Sequence, residues 1–332
     1  MIDSVKNKYD IRIAGRKDSA EWDSFVESSE NGTLFHELKF LSYHEPGRFN
    51  FHNMMFMREG RLEAVLPAAL AERGEQGGTA LVSPAGASFG GLVIKKQADA
   101  ETAAGLVSAL TDHAREIGAA EICHASTPYW YWALHHDNIE FALEEAGYES
   151  AGAAELSVVV PVSANVDIME TFRGNARTAV RQARSKGVNV RLTDDIETFH
   201  WINLANKASH GTMPTHSLGE LETIRELYAG RFFLLGAFLD GQMIGGLLMF
   251  MCNSRAALTF YICHLAEFQQ YRAVNLLAHE AASQAAQLGA KWLDTGTVTS
   301  GGVINRGLLS FKESLGGVCR YRNRHLLKQI SD

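Results

Sequence analysis

The feature that most restricts how this chain can fold is a pattern that occurs twice. NFHNMMFMREGRLEAVLPAAL and FFLLGAFLDGQMIGGLLMFM each hold an apolar run, an acid-glycine pair and a second apolar run. A two-residue hairpin turn requires positive φ, so Glu59-Gly60 and Asp240-Gly241 read as tight turns between strands. A helix follows in each copy. In the first, Leu106, Ala109, Leu110, Ala114 and Ile117 recur at helical spacing; in the second, Val274, Leu277, Ala281, Ala285 and Leu288 do. Each stripe stops at a glycine, Gly118 or Gly289, which tolerates the left-handed conformation at a helix end. Short strands come next, AAEICHAS and AKWLDTG. In the second copy Ala256–Cys263 supplies a further strand, giving the order hairpin, strand, helix, strand. A unit repeated once specifies two similar domains and not a solenoid. The copies differ at the end of the last strand, Cys123-His124 in one and Asp294-Thr295 in the other. A carboxylate and a hydroxyl at a strand's C-terminal end lie where α/β folds often place their chemistry.

The 332 residues, 46% hydrophobic and 21% charged, describe a globular protein with ample core. The β-branched run AELSVVVPV ends at Pro161, which places the boundary between a first domain, 1–160, and a second, 161–332. Ala20–Ser28 reads as a short helix bearing Trp22, Phe25 and Val26, and Phe35–Glu45 as a second. Cys123, Cys252, Cys263 and Cys319 are scattered with no CxxC spacing, as expected of buried free thiols in a reducing compartment. Met1–Asp18 is polar and no apolar run approaches a membrane span, so the expectation is a cytoplasmic protein without a membrane span. His210 and His216 lack a third ligand at a recognisable spacing, so no metal is expected. Gly74–Gly91 lacks the Lys-Ser/Thr of a phosphate loop and reads as a hairpin loop and a bend. Tyr129-Trp-Tyr-Trp132 is an aromatic cluster that either stacks on a sugar or base or fills a core between the domains; the core is favoured.

Charge sharpens the picture. The chain carries −7, yet Arg173–Arg191 holds six Lys/Arg with no acid, and Arg306–Lys328 holds six against Glu313 alone. Two basic islands in an acidic chain suggest an anionic ligand and argue against DNA. Arg173, Arg177, Arg181 and Arg184 fall on one helix face. That face is either solvated and quenched by acids from elsewhere, or it meets phosphate or carboxylate, which the arginine fork grips well. HGTMPTHS, between helix-like segments, is either a helix-breaking connection or a site loop. In the second case His210 acts as acid or base, with Thr212 and Thr215 as hydrogen-bond partners.

Three stretches resemble the FemAB-like transferases. FRGNARTAVRQARSKGVNVR is similar to the basic helix that opens the second domain of that group. HGTMPTHSL is similar to its HGTP-type loop, with Met213 inserted. Arg306-GLLSFKESLGG is similar to its closing signature, in which a Phe-Lys pair precedes an acidic residue and Gly-Gly. The resemblance implies an α/β fold of two tandem GNAT-like (acyl-CoA N-acyltransferase type) domains, each a mixed, mostly antiparallel sheet flanked by helices. The first is then a degenerate copy, the second carries the active cleft, and the C-terminal tail folds back on the first. It further implies an enzyme, an N-acyltransferase or aminoacyltransferase. Such an enzyme moves an acyl or aminoacyl group onto a primary amine of an anionic sugar-, peptide- or lipid-linked acceptor, an envelope precursor among them. The donor substrate is acyl-CoA or aminoacyl-tRNA, with no firmly bound cofactor. One departure stands out: the family's Gln/Arg-x-x-Gly-x-Gly/Ala turn reads Gln270-Tyr-Arg-Ala-Val-Asn here, without glycine, which counts against acetyl-CoA. The chain also lacks the coiled-coil arm of some relatives, which counts against tRNA.

An amine attacking an ester or thioester needs a proton acceptor, oxyanion donors and a clamp that orients both substrates. The resemblance assigns Lys312 to anion or oxyanion stabilisation. Asp294 is the candidate for orienting or deprotonating the amine, and His210 and Tyr261 are further catalytic candidates. Arg177, Arg181, Asn175, Thr212 and Thr295 are the expected substrate-binding residues. The rival reading is a non-catalytic protein that binds an anionic ligand on a degenerate scaffold of the same kind.

Overall fold

A computed structural model of the chain describes residues 9–74, 77–96, 98–152, 155–209 and 211–328. Both acid-glycine pairs form the turns their chemistry demands: Glu59 and Gly60 sit at φ 52 and 75, Asp240 and Gly241 at φ 50 and 84. They join Met54–Arg58 to Arg61–Leu66 and Phe232–Leu239 to Gln242–Met251. The chain divides into two compact units, Met1–Ala154 with Arg322–Asp332, and Glu155–Tyr321.

The second unit is built on a seven-stranded sheet in the order Asn189–Leu192, Phe232–Leu239, Gln242–Met251, Ala256–His264, Trp292–Thr297, Glu155–Pro161 and Val318–Arg322. Ala256–His264 and Trp292–Thr297 run parallel. Parallel neighbours need a crossover, and the helix Ala273–Gln287 provides it. Leu276, Leu277, Ala281 and Ala285 of that helix are buried in one core with Leu247, Met249 and Leu293 of the sheet. Its alanines leave room for the helix Gly174–Ser185, whose Ala176, Val180 and Ala183 enter the same core while its arginines face outward. Glu155–Pro161 pairs Val159 with Asp294 and Val160 with Leu293. The units therefore divide ahead of this strand and not after Pro161, because its hydrogen-bond ladder ties it to the second sheet.

The first unit carries two sheets. One has the order Asp10–Ile13, Met54–Arg58, Arg61–Leu66, Val93–Ile94. The other has the order Asn50–Phe51, Ala69–Glu72, Thr79–Ser83, Ala119–Ala125, Arg324–Lys328, Glu149–Ser150. Pro67 has no N–H to give a ladder, and the run from Arg61 to Glu72 breaks there to feed both sheets. The helix Ala100–Glu116, capped by Asp99 accepting from the Thr102 N–H at 2.8 Å, buries Leu106, Ala109, Leu110 and Ala114. Three expectations are corrected. Thr79–Ser83, inside the stretch read as loop and bend, is a strand with Ala80 and Leu81 buried. Phe35–Glu45 is not one helix but a 3-10 turn, Leu34–His36, and a single turn, Leu38–Leu41. The Tyr129–Trp132 aromatics fill the first unit itself. Trp132 packs with Leu106 and Leu143 and donates to the Thr127 carbonyl at 2.9 Å, and Tyr131 lies against Phe89. The four cysteines are free, Cys252 and Cys263 buried and Cys123 and Cys319 half-buried. Among the described residues no helix is long and apolar enough to cross a membrane, and no group of three or more side chains is placed to hold a metal.

Candidate active site

The parallel pair at the centre of the second unit is short. Ala256–Leu258 pairs with Trp292–Asp294 and no further. Beyond those residues Ala256–His264 stays bonded to Gln242–Met251, and Trp292–Thr297 to Glu155–Pro161, so the sheet opens into a wedge. Backbone irregularities mark both walls. Thr259 pairs with Met249 and Tyr261 with Leu248, which leaves Phe260 as an extra residue. On the other wall Gly296 takes φ +80. Bulges of this kind strengthen the local twist and re-aim side chains, and they gather next to active sites.

Asp294 and Lys312 meet at Gly296. Asp294 is 0% exposed, and its Oδ1 accepts from the Gly296 N–H at 2.7 Å. Lys312 comes from the helix Arg306–Ser314, which is capped by Asn305 accepting from the Leu308 N–H. It is 7% exposed, and its Nζ donates to the carbonyls of Gly296 at 3.0 Å and Thr297 at 2.9 Å. Charges buried to this degree require hydrogen-bond partners, and these contacts supply them. A Cβ at Gly296 would lie 3.7 Å from the Lys312 Nζ and 4.0 Å from the Thr259 carbonyl oxygen, so the ammonium stands where the two walls part. Thr295 turns to the neighbouring strand, its Oγ1 donating to the Val158 carbonyl at 2.7 Å.

Tyr261 lies on the opposite wall. Its hydroxyl accepts from the Thr215 N–H at 3.3 Å and lies 2.8 Å from the His216 Nδ1, and burial raises its phenol above the usual range. The loop before the helix Leu218–Leu227 thus reaches the wedge through Thr215 and His216. Thr212 does not: its N–H and Oγ1 both turn to the Lys207 carbonyl, at 3.0 and 3.3 Å, closing the helix Ile196–Ala208. His210 lies outside the described residues.

The basic helix resolves into ends and a middle. Arg173 pairs with Glu313 at 3.4 Å, Arg184 with Glu280 at 2.9 Å, and Lys186 donates to the Gln270 carbonyl at 2.8 Å. Arg177 and Arg181 have no ion pair or side-chain hydrogen bond among the described residues, and Asn175 is exposed beside them. The start of this helix is tied to the end of the Lys312 helix, the Arg173 N–H donating to the Ser314 carbonyl at 2.8 Å. Ahead of the crossover helix, Ala266–Tyr271 is a 3-10 helix and Arg272 adopts φ 57, ψ 30, a left-handed conformation unusual outside glycine.

Residues 170–307 match the family described as acetyltransferase (GNAT) domain. Among solved structures the chain is similar to FemX, with a TM-score of 0.75 at 15% identity, covering 96% of this chain and 97% of that one. It is similar also to a tandem GNAT protein from the clavulanic acid biosynthesis pathway, with a TM-score of 0.58 at 11% identity over 98% and 99% of the two chains. A third likeness is to L-PGS from Bacillus licheniformis, with a TM-score of 0.59 at 11% identity over 96% and 93%. This is a tandem GNAT fold. Comparison with curated protein sequences yields no match. The FemAB-like resemblance read from the sequence therefore holds at the level of fold.

The two GNAT units are not equivalent at the place of interest. In the first, the parallel pair runs on from Thr79/Ala119 to Ser83/His124 without opening. The His124 Nε2 then accepts from the Leu92 N–H at 2.9 Å, and a Cβ at Gly91 would fall 2.8 Å from the His124 ring. The Gly90–Leu92 backbone fills what the second unit leaves open. His216 is the site residue that sequence reading passed over. Tyr261, its partner, lies far along the chain, and only the fold joins them.

Proposed function

We propose that the protein is an N-acyltransferase or aminoacyltransferase whose chemistry takes place in the wedge of the second unit. The observation that carries this reading is the early end of the parallel pair at Leu258 and Asp294. It leaves backbone groups of Thr259–Tyr261 and Thr295–Thr297 without strand partners across the gap, beside a buried ammonium and a tyrosine hydroxyl. An extended acyl chain or aminoacyl ester can lie between such walls, hydrogen-bonded as a strand would be, while an amine attacks its carbonyl directly. Lys312 supplies positive charge toward the developing oxyanion and holds the Gly296–Thr297 wall in shape. Asp294, sealed from solvent, acts through the Gly296 N–H as a positioning residue. Tyr261 is the group placed to handle the proton of the attacking amine.

Arg177 and Arg181 are the candidates for an anionic portion of the acceptor or donor, because their neighbours have side-chain partners and, among the described residues, they have none. For the donor, the Ala266–Arg272 segment favours an aminoacyl ester, such as charged tRNA, over acyl-CoA. It offers a left-handed arginine where a pyrophosphate cradle uses glycine. An acceptor amine on an anionic envelope precursor fits the same arginines.

Calorimetric titration with acetyl-CoA, longer acyl-CoAs and alanyl-tRNA, repeated on Lys312→Ala, tests this reading. Micromolar binding of one donor, weakened at least tenfold in the variant, is the expected result. Absence of binding by all of them would turn the assignment to a non-catalytic scaffold that keeps an anion site on the basic helix.

A further inference from the structure

We propose that His216 is the proton-relay partner of Tyr261, a positioning residue that lets the tyrosine take a proton from the acceptor amine without becoming a phenolate. The inference rests on the transferase reading and deepens it.

The geometry is specific. The Tyr261 hydroxyl accepts from the Thr215 N–H at 3.3 Å and lies 2.8 Å from the His216 Nδ1; in the relay it donates its own proton to that nitrogen. Nδ1 is then the acceptor nitrogen, and the ring carries its proton on Nε2. Several contacts fix the imidazole. Its ring packs edge-on against Phe260, at 5.1 Å between centroids, and against Tyr261, at 5.9 Å. Its backbone carbonyl lies 3.3 Å from the His200 Nε2. The next residue, Ser217, caps the helix Leu218–Leu227 in a reciprocal box with Glu220. A loop pinned on both sides of His216 is organised to hold that ring against Tyr261. Phe260, the extra residue of the bulge, is the surface on which it rests.

Burial makes a free phenolate at Tyr261 costly. The relay removes that need. An N–H bond of the acceptor ammonium breaks as an O–H bond forms at Tyr261. The tyrosine's own proton passes to the His216 Nδ1, and the Nε2 proton leaves to water. Tyrosine and imidazole both end neutral, and the amine gains the lone pair that forms the new C–N bond. Among the described residues, the titratable and charged groups facing the pair are Glu220 from the Leu218–Leu227 helix and His200 from the Ile196–Ala208 helix. Their variants serve as controls on any pH effect.

The test combines a readout that needs no turnover with one that does. Ultraviolet titration of wild type against Tyr261→Phe isolates ionisation of Tyr261, and the expected result is that His216→Ala shifts this transition. In transfer assays with acetyl-CoA or alanyl-tRNA as donor and glucosamine 6-phosphate or a lysyl peptide as amine, His216→Ala is expected to lower kcat about 100-fold with donor KM within threefold. Added imidazole should restore part of kcat in His216→Ala and none in Tyr261→Phe. An unchanged Tyr261 transition, a kcat within twofold of wild type, or a lost kcat that imidazole does not restore would each overturn the relay. If wild type transfers with none of these pairs, the transferase reading fails instead, and the titration still decides whether His216 governs Tyr261.

Discussion

Burial decides what the histidines of this chain can do. His36 is fully buried, its Nδ1 accepting from the Thr33 N–H and its Nε2 facing the Gly90 carbonyl, and burial lowers it from 6.5 to about 4. His124 is held at about 3 for the same reason. A histidine lowered in the folded state leaves its contribution intact above the unfolded value. As pH falls from 6.5 toward 4 the unfolded chain takes up a proton that the folded His36 does not, and stability declines. For His36 the loss by pH 4 is on the order of 3 kcal/mol. Urea unfolding of wild type at pH 7 and pH 5 should show this decline, and His36→Gln should flatten it from a lower starting stability. Equal wild-type stability at the two values would remove the argument. Single residues were the least legible scale in the sequence. Asp294 reads as a reactive carboxylate at a strand end, but nothing in AKWLDTG says that its Oδ1 turns back to Gly296. Thr212 reads as part of a polar site loop, and only the fold shows its hydroxyl returning to Lys207.

At the scale of elements the sequence was more forthcoming, because turn and helix signals are local. Asp240-Gly241 needs only its own two φ angles, and Gly241→Ala is expected to cost about 1 kcal/mol from the φ of 84 alone, read as a lowered thermal midpoint. In the crossover helix the stop at Gly289 and the buried Leu277, Ala281 and Ala285 were equally plain, whereas Leu288, read into the same stripe, is exposed and Val274 half-buried. Thr79–Ser83 was hidden by the glycines around it, and the wedge was hidden altogether. The point where two strands part is a matter of register between segments far apart in sequence, and no local pattern encodes it. The basic helix sits between these cases. Its arginine face follows from spacing, whereas the pairing of its ends depends on Glu313 and Glu280, supplied by other helices. Arg177→Glu with Arg181→Glu should therefore abolish binding of whichever anionic donor or acceptor titrates. The thermal midpoint should stay within about 2 °C, since Arg181 is exposed, Arg177 half-buried, and surface substitutions cost little. A large fall in thermal stability together with intact binding would mean that the face is structural.

For the whole molecule, the repeat foretold two units but not how the chain is shared between them. Arg324–Lys328 lies in the first unit's sheet, between Ala119–Ala125 and Glu149–Ser150, although every residue from Glu155 to Tyr321 belongs to the second. Ending the chain at Arg322 would strip Ala119–Ala125 of its antiparallel neighbour and expose a strand edge. Hydrogen exchange should then become fast in 119–125 while 292–297 stays protected. Persistent protection at 119–125 would show that the last strand is dispensable. The same arrangement bears on how the protein comes into being. A ribosome delivers the chain from its N-terminus, and folding usually follows that order. Here the first half must wait, its sheet missing an inner strand, while the second half emerges and can close completely. The unit translated first is thus the one finished last, and until Arg324–Lys328 clears the ribosome the nascent protein carries an open β edge that a chaperone has reason to cover.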